Sequence, residues 1–395
     1  MGILEKIKDI EDEISRTQKN KATEGHLGLL KGKLARYRSQ LLEGDAGGGG
    51  GKGAGFEAAK SGDARVSMVG FPSAGKSTLL NKLTKTESAT GAYEFTTLTC
   101  IPGVIEYKGT EIQLLDLPGI IEGAAEGKGR GKQVIATART SDLILIVIDA
   151  GQAERQRPLL EYELEILGIR LNKPRPNIYL KKKPSSSMNV INYTATVKTT
   201  HLNEKLCKDI LHGYKIHNAE ILIREDATVD DFIDVVEGNR QYLPALYIYN
   251  KVDTITIEEV DRLARLPHSL VISCQWDLNL DLVVEQIWEE LELVRVYTKK
   301  KGNPPEFEKP FIMRKGDTVE DLCKRLHQDF LNKFKYAMIW GTSAKHCPQR
   351  VGKDHPLDDE DVLQIMTQTA AQDKNQIDAR TARDLKKRAQ AAKKK

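Results

Sequence analysis

The first forty residues repeat apolar side chains at the spacing of amphipathic helices. Isoleucines recur every three or four residues from Ile3 to Ile14, and leucines do so from Leu27 to Leu41 after a polar break. Because such positions share one helix face, the pattern predicts an antiparallel helical hairpin over residues 1–45. Lysines and arginines on the other faces form either a solvated surface or a docking surface for RNA or protein.

The pattern then changes to short apolar runs that alternate with helix-like segments. Before this change, the glycine-rich residues 46–61 predict a flexible linker. Strands that alternate with helices predict an α/β domain over residues 62–296, with a mostly parallel sheet and helices on both faces. The predicted strands are Val66–Val69, Ile112–Leu115, Leu143–Ile148, Leu246–Asn250 and Leu270–Ser273.

The distance between two of these strands is too long for a regular α/β repeat. One strand–helix–strand unit needs about 30 residues, whereas 130 residues separate Gly119 from Asn250. The surplus, residues 172–226, contains the strand-like run Val190–Val197. It predicts an inserted α+β subdomain.

A helix at residues 280–294 leads into a small predicted domain, residues 297–368, and a basic tail, residues 369–395. In the domain we expect a sheet crossed by one helix, with Tyr336 and Trp340 in its core rather than stacked on bases. From Lys299 to Lys353 there are 13 Lys and Arg against six Asp and Glu, which favours a surface for a phosphate backbone. The tail is expected to be disordered or weakly helical. The elements predicted within the domain of residues 297–368 are strand Phe311–Arg314, helix Val319–Phe330 and strand Tyr336–Trp340.

Composition excludes several classes of protein. Hydrophobic residues make up 40% and charged residues 29%, which is typical of soluble domains, and the net charge of +4 does not by itself indicate nucleic acid. The apolar runs are far shorter than the ~20 residues that span a bilayer, and Met1–Asn20 lacks the apolar core of a secretory signal. Scattered cysteines favour a reducing, intracellular compartment over a disulfide framework or a zinc cluster. They are Cys100, Cys207, Cys274, Cys323 and Cys347.

A phosphate-binding motif lies directly between the first predicted strand and the next helix. Its eight residues fit the pattern G-x-x-x-x-G-K-[ST]: Gly70, Phe71, Pro72, Ser73, Ala74, Gly75, Lys76 and Ser77. In this setting backbone N–H groups and the helix N-terminus surround phosphates. Lys76 is expected to neutralise the β- and γ-phosphates, and the Ser77 hydroxyl to bind Mg²⁺.

Two further motifs are expected to meet the metal and the γ-phosphate. Asp116, Leu117, Pro118 and Gly119 follow the second strand, so that the Asp116 carboxylate reaches the Mg²⁺ shell through water and the Gly119 N–H senses the γ-phosphate. A switch loop also needs a threonine that binds Mg²⁺ and the γ-phosphate. Thr96 and Thr97 both qualify, and their spacing does not choose between them.

A third motif selects the base. Asn250, Lys251, Val252 and Asp253 end the fourth predicted strand, and Ser273 and Cys274 end the fifth. The Asp253 carboxylate can accept hydrogen bonds from guanine N1–H and the 2-amino group, whereas adenine would leave it unpaired, at a cost of about 1–3 kcal/mol. Asn250 is expected to brace the loop against the base edge, the Lys251 stem to cover the ring, and a backbone N–H of Ser273–Cys274 to bind guanine O6. The motifs therefore predict GTP rather than ATP as the ligand.

The residue after Gly119 is expected to decide the hydrolysis rate. A glutamine there would orient the attacking water, but this chain has Ile120, which cannot polarise it. We expect slow intrinsic hydrolysis, with the missing group supplied by a cation, a rearranged switch, a partner, or Glu122 or Glu126. A GTP-binding scaffold without meaningful turnover is the alternative hypothesis.

Together the motifs GFPSAGKS, YEFTTLTCIPGV, DLPGIIEGAAEGKGRG and NKVD resemble those of the DRG (developmentally regulated GTP-binding) family of Obg-like GTPases. The segments RTQKNKATEGHLGLLKGKLARYR and YAMIWGTSAKHCPQRVG are similar to the same family, and the opening MGILEKI fits its DRG2-like branch. The likeness extends to about Met366.

The resemblance implies a helical N-terminal segment, a G domain with an inserted subdomain similar to domain 2 of ribosomal protein S5, and a C-terminal TGS domain of β-grasp type. It also implies that Ser77 and Thr97 are the Mg²⁺ ligands. Finally, it implies a cytoplasmic, ribosome-associated GTPase, stimulated by K⁺ and stabilised by a partner of the DFRP type. Neither a membrane nor DNA is expected as a partner.

Overall fold

A computed structural model of the chain describes residues 3–18, 20, 23–43, 62–84, 102–117, 138–183 and 190–367. The predicted linker and basic tail lie outside the described residues. The described residues form two compact units, one within residues 1–104 and 113–283 and the other within residues 105–112 and 284–395. Among the helices of the described part, none is long and apolar enough to cross a membrane.

The first unit begins with two antiparallel helices, α1 (Ile3–Arg16) and α2 (Glu24–Glu43). An ion pair joins Glu11 to Arg38, which lies towards the end of α2. Near the start of α2 a hydrogen bond of 3.1 Å joins Glu13 to His26. No residue of α1 is fully buried, whereas Leu30 of α2 is. This helix pair corresponds to the hairpin that the apolar spacing predicts.

A six-stranded sheet forms the centre of the α/β fold. Its strands are β1 (Ala64–Val69), β2 (Pro102–Tyr107), β3 (Thr110–Asp116), β4 (Leu143–Asp149), β10 (Ala245–Asn250) and β11 (Ser269–Val271). They lie in the order β11-β10-β4-β1-β3-β2, and β4 pairs in parallel with both β1 and β10. The helices that follow strands of this sheet are α3 (Lys76–Leu83), α4 (Ala153–Ile166), α7 (Ile257–Ala264) and α8 (Leu280–Glu290). Every residue from Leu143 to Ile148 is fully buried, as expected for a central parallel strand.

Between β4 and β10 the chain builds a second small sheet. Along the chain, the segment that forms this sheet is flanked by β5 (Ile169–Leu171) and β9 (Gln241–Leu243), two short strands that pair in parallel with each other. Strands β6 (Ile178–Lys182), β7 (Ile191–Ala195) and β8 (Ala219–Ile223) lie in the order β6-β8-β7, with helices α5 (Glu204–Gly213) and α6 (Val229–Glu237). The sequence predicts that the inserted subdomain ends at residue 226, and helix α6 lies beyond that residue. Nevertheless, Phe232 and Ile233 of α6 belong to the same hydrophobic core as residues of β6, β8 and α5. The subdomain therefore continues at least to Glu237, because its sheet needs this helix as cover.

The N-terminal hairpin contacts this second sheet's helices through α2, which lies against α5 and α6. Gly28 allows the close approach, since a Cβ there would lie 3.1 Å from Leu206 of α5 and 3.3 Å from Val229 of α6. Tyr214 donates a hydrogen bond of 2.9 Å to the carbonyl of Gly32. The hairpin is thus attached to the inserted subdomain.

The second unit contains a five-stranded sheet. Its strands are β12 (Leu293–Thr298), β13 (Glu306–Arg314), β14 (Phe334–Trp340), β15 (Gln349–Val351) and β16 (Asp361–Thr367), in the order β13-β12-β16-β14-β15. Helices α9 (Val319–Leu326) and α10 (Gln328–Asn332) complete it. Because β12 begins at Leu293, the predicted domain boundary at residue 297 falls inside a strand.

Three details of this unit differ from the sequence prediction. The helix predicted to reach Val294 ends at Glu290, because Leu293–Thr298 pairs with two strands instead. The helix predicted over 319–330 is broken at His327, whose backbone is extended. Tyr336 and Trp340, expected in the core, are only partly buried and lie on the sheet face opposite to the core residues of β14.

Candidate functional site

The phosphate loop, residues 70–77, connects β1 to α3 as the motif requires. Gly75 has φ +94°, and a Cβ there would overlap the side-chain amide nitrogen of Asn250. At Gly70 a Cβ would overlap the carbonyl oxygen of Val147 on β4. Glycine is therefore required at both positions. Because glycine has no side chain, the loop can lie close to the ends of β4 and β10.

Lys76 is enclosed by the loop that it follows. Its Nζ donates hydrogen bonds to the carbonyls of Gly70 at 2.8 Å and Phe71 at 3.0 Å, and the residue is 8% exposed. Burial lowers the pKa of its ammonium group, and the charge of Asp116 offsets only part of this effect. An anionic group bound in the loop would stabilise this buried cation.

Ser77 and Asp116 form the candidate Mg²⁺ site. The Ser77 hydroxyl donates to Oδ2 of Asp116 at 2.8 Å, while Oδ1 of Asp116 is buried and has no hydrogen-bond partner among the described residues. A buried, unpaired carboxylate oxygen beside a hydroxyl is a set of hard oxygen donors, which is the chemistry that Mg²⁺ prefers. The residues present therefore fit the ion.

Other predicted residues of this part of the site lie outside the described residues. They are Thr96, Thr97, Pro118, Gly119, Ile120, Glu122 and Glu126. Their predicted roles in binding Mg²⁺, sensing the γ-phosphate and setting the hydrolysis rate stay predictions.

Asn250, at the end of β10, connects three loops. Its Nδ2 donates to the carbonyl of Ala74 at 2.9 Å, and its Oδ1 accepts the N–H of Lys251 at 2.8 Å and of Cys274 at 3.1 Å. The sequence predicts that Asn250 braces the loop against a base edge, and this stays a prediction. In the structure Asn250 fastens the phosphate loop to the base-binding loops. The expectation that a backbone N–H of Ser273–Cys274 binds guanine O6 stays a prediction; in the structure the N–H of Cys274 is donated to Asn250. Burial also raises the pKa of the Cys274 thiol.

Ser273 orients the carboxylate that is predicted to select the base. Its hydroxyl donates to Oδ1 of Asp253 at 2.6 Å, and Ser273 itself is fully buried. The sequence places Ser273 in this loop without giving its side chain a role. The bond fixes one oxygen of Asp253 and therefore the plane of its carboxylate.

Lys251 pairs with a residue that the sequence analysis missed. Its Nζ lies 2.7 Å from Oδ2 of Asp149, the last residue of β4. Asp149 is held in turn, because its Oδ1 accepts the N–H of Gly151 and its own N–H is donated to Gln156. The position of Asp149 in the sequence could have marked it as a site residue, since it is polar and ends a buried strand, as Asp116 and Asn250 do.

These loops line an open cavity of about 700 Å³, which we call the nucleotide cavity. Lys76, Ser77 and Asp116 line one end, and Asn250 and Asp253 line the other. This volume lies within the range of 300–1,000 Å³ that is usual for cofactor sites. Thr78, Thr254 and Gln275 also line it, although no sequence motif singles them out.

Several predicted residues support this cavity without being part of its wall. Leu117 and Val252 are buried in the hydrophobic core beside the sheet, and Phe71 is partly buried against the same core. Gly70, Ala74 and Ser273 act through the backbone and hydrogen-bond contacts described above.

Sequence profiles of known families match three successive parts of the chain. The profile described as 50S ribosome-binding GTPase matches residues 65–182, and that of the C-terminal region of the same domain matches residues 188–293. The TGS domain profile matches residues 294–367. The predicted fold class, a P-loop GTPase domain followed by a TGS domain, is thereby confirmed.

Close relatives exist in several eukaryotes. Uncharacterized GTP-binding protein C02F5.3 of Caenorhabditis elegans is 62% identical over 368 residues. Developmentally-regulated GTP-binding protein 2 of Homo sapiens is 61% identical over 366 residues, and its Dictyostelium discoideum homologue 60%. Each match covers 93% of this chain and 100% of the relative. A solved GTP-binding protein from Pyrococcus horikoshii OT3 is 16% identical over 77% of this chain and 100% of that one, with a TM-score of 0.38.

Such identity over almost the whole length, together with the matching profiles, confirms the resemblance that the motifs predict. The chain belongs to the family of developmentally regulated GTP-binding proteins.

Proposed function

We propose that this protein hydrolyses GTP to GDP and phosphate slowly, with Mg²⁺, and acts as a molecular switch on the translation machinery. The observation that carries the proposal is the nucleotide cavity, with a buried lysine and an oxygen-rich metal site at one end and an oriented carboxylate at the other. Membership of a GTP-binding family and the match to a 50S ribosome-binding GTPase profile support it.

In this proposal the phosphate loop surrounds the phosphates and Lys76 neutralises their charge. Ser77, Thr97 and, through water, Asp116 would hold Mg²⁺, and the bound ion would offset the charge that develops on the phosphate oxygens. The Gly119 N–H meets the γ-phosphate. These groups position and stabilise the triphosphate, which is most of what phosphoryl transfer requires of a protein.

At the other end Asp253 accepts two hydrogen bonds from guanine, with its carboxylate plane fixed by Ser273. Lys251 covers the base while Asp149 holds its ammonium group. Asp253→Asn should shift the preference towards xanthine nucleotides, because the amide can donate to the 2-oxo group. Competition binding of GTP and XTP measures this shift, and an unchanged GTP preference would contradict the assignment.

Slow turnover follows from Ile120, which occupies the position where a glutamine would orient water. Phosphate release with excess GTP, with and without K⁺, should give a low rate that K⁺ increases and that Lys76→Ala abolishes. A rate that Lys76→Ala leaves unchanged would favour the second candidate, a GTP-binding scaffold with negligible turnover.

We also propose that the protein works in the cytoplasm with ribosomes and a DFRP-type partner, through the hairpin of residues 1–45, the inserted subdomain and the TGS domain. Co-sedimentation of the full chain with ribosomes should be stronger with a non-hydrolysable GTP analogue than with GDP. Equal co-sedimentation in both states would contradict a switch that acts on the ribosome.

A further inference from the structure

The two faces of the five-stranded sheet in the second unit differ in chemistry. Side chains alternate between the faces of a strand, and Ala337 and Ile339 of β14 are buried in the core that contains Leu322 of α9. The alternate positions of the same strand, Tyr336, Met338 and Trp340, are only partly buried. We call the side of the sheet that carries them the open face.

The strand register places aromatic and polar residues next to one another across the open face. Trp340 is opposite Val362 of β16, and Val362 is in turn beside Tyr297 of β12. One row further along, Met338 lies between Gln364 and Arg350 of the neighbouring strands. Tyr336 and Trp340, four residues apart on one strand, are separated by about 13 Å.

Cationic groups lie over the two rings of β14 that belong to the open face, Tyr336 and Trp340. The guanidinium carbon of Arg350 is 4.1 Å from the centre of the Tyr336 ring, and Nζ of Lys299 is 5.0 Å from that of Trp340. Nearby, Phe307 is 61% exposed and makes an edge-to-face contact with Tyr297 at 5.2 Å. Flat rings and cations therefore share one partly exposed surface.

Five acidic residues, Asp354 and Asp358 to Asp361, follow the basic stretch that ends at Lys353, and two of them are already bound within this unit. Asp361 is fully buried and accepts the backbone N–H groups of Asp358 and Ser343. Asp359 is bound by the guanidinium of Arg295 at 2.7 Å. Although burial alone would raise the pKa of Asp359, its hydrogen bonds with Arg295 lower it, so that this carboxylate is already paired.

We propose that the open face binds single-stranded RNA, with bases stacked on the Tyr336–Arg350 pair and on Trp340, and with the charged groups of Arg350 and Lys299 near the phosphates. Partly exposed rings beside cations are the features by which proteins bind unpaired strands, since bases in a duplex already stack on each other. An arginine plane over a ring also provides a second stacking surface for a base. The proposal rests on the proposed function only in taking the translation machinery, which contains RNA, as the target.

The test uses the full chain and a fluorescein-labelled, unstructured RNA of twelve nucleotides, with anisotropy as the readout. Trp340→Ala and Tyr336→Ala should each weaken binding by about 5- to 100-fold, because each removes one stacking surface. Trp340→Phe and Tyr336→Phe keep a ring and should restore most of the affinity. Tyr179→Ala is the matched control, since Tyr179 is 51% exposed on β6 of the other unit.

Salt dependence tests the charged contacts separately. Arg350→Gln and Lys299→Gln should each reduce the slope of log affinity against log salt concentration by about one. A twelve-base-pair RNA duplex should bind more weakly than the single strand.

Three results would overturn the proposal. In the first, both alanine variants bind the RNA as tightly as Tyr179→Ala does. In the second, the duplex binds as tightly as the single strand, and Trp340→Ala or Tyr336→Ala lowers the affinity for both by the same factor. This result indicates recognition of the RNA backbone alone. In the third, Trp340→Ala and Tyr336→Ala keep the RNA affinity of the unmodified chain but no longer co-sediment with ribosomes. This result indicates that the open face binds a protein partner. Because the RNA assay contains neither ribosomes nor GTP turnover, its failure is distinct from failure of the proposed GTPase switch.

Discussion

Asn250 is the side chain through which the two ends of the nucleotide cavity are connected. Its amide group binds Ala74 of the phosphate loop and Cys274 of the base-binding loop. The amide can do this because Gly75 leaves room for it. A change at Gly75 is therefore expected to disturb both ends of the cavity.

Gly75→Ala should weaken GTP binding by at least about tenfold. Alanine in the left-handed region costs about 1–2 kcal/mol, and its Cβ would also displace the Asn250 side chain. Titration with a fluorescent GTP analogue measures the loss. Gly25→Ala is the control, because no atom of the described residues outside its own stretch of helix lies within 4 Å of a Cβ at Gly25. Equal affinity of the two variants would contradict the expected effect.

Ser273→Ala should reduce the preference for GTP over ITP. Inosine lacks the 2-amino group, and Asp253 accepts that group only if its carboxylate is correctly oriented. Hydrogen bonds to charged groups contribute about 1.5–3 kcal/mol, so we expect GTP affinity to fall by at least tenfold and ITP affinity to fall less. Competition binding separates the two, and a GTP/ITP ratio equal to that of the unmodified chain would contradict the role of Ser273.

At this scale the sequence identifies the motif residues but not their side-chain partners. Lys76, Ser77 and Asp253 lie where their motifs predict, because each motif has a fixed position at a strand end. The pairing of Lys251 with Asp149 and of Cys274 with Asn250 depends on how separate loops meet. No local pattern encodes such distances.

Among the elements, α6 carries four carboxylates, and two of them, Asp230 and Asp234, lie in contrasting surroundings. Asp234 is 3% exposed and binds Arg170 through two hydrogen bonds of 2.7 and 2.8 Å, with Arg240 at 3.3 Å. Burial alone would lower the pKa of Arg170, but its bonds to Asp234 raise it. Asp230 instead pairs with Lys31 of α2 at the surface.

Asp234→Ala should therefore destabilise the first unit far more than Asp230→Ala. Removing one partner of a buried ion pair costs roughly 3–5 kcal/mol, whereas an exposed pair contributes about 0–1 kcal/mol. Thermal unfolding of the two variants, each compared with the unmodified chain, measures the difference. Similar melting temperatures for both would show that Asp234 does not join β5 and α6 as described.

The elements that the sequence predicts well are those with a strong local pattern. The uninterrupted apolar run of β4 and the isoleucine spacing of α1 both give the element type. The segment 280–294 misleads because its apolar residues fit a helix, while pairing with distant strands makes Leu293–Thr298 extended. The aromatic residues Tyr336 and Trp340 suggest a core by size alone, yet strand alternation places them on the open face.

For the molecule as a whole, folding brings together loops that are far apart in sequence. Asn250 and Ala74, 176 residues apart, are in hydrogen-bond contact, and the inserted subdomain lies between them along the chain. The apolar runs predict the sheet that makes this possible, and the strand order places their carboxyl ends side by side. The central claim of the proposed function is that this arrangement accepts guanine and rejects adenine.

Isothermal titration calorimetry of the full chain with GTP and with ATP, both in Mg²⁺, tests that claim most directly. Adenine has no donor pair for the oriented, partly enclosed carboxylate of Asp253. We therefore expect GTP to bind at least about hundredfold more tightly than ATP. Equal affinity for the two nucleotides would contradict the assignment of Asp253 and, with it, the proposed GTP switch.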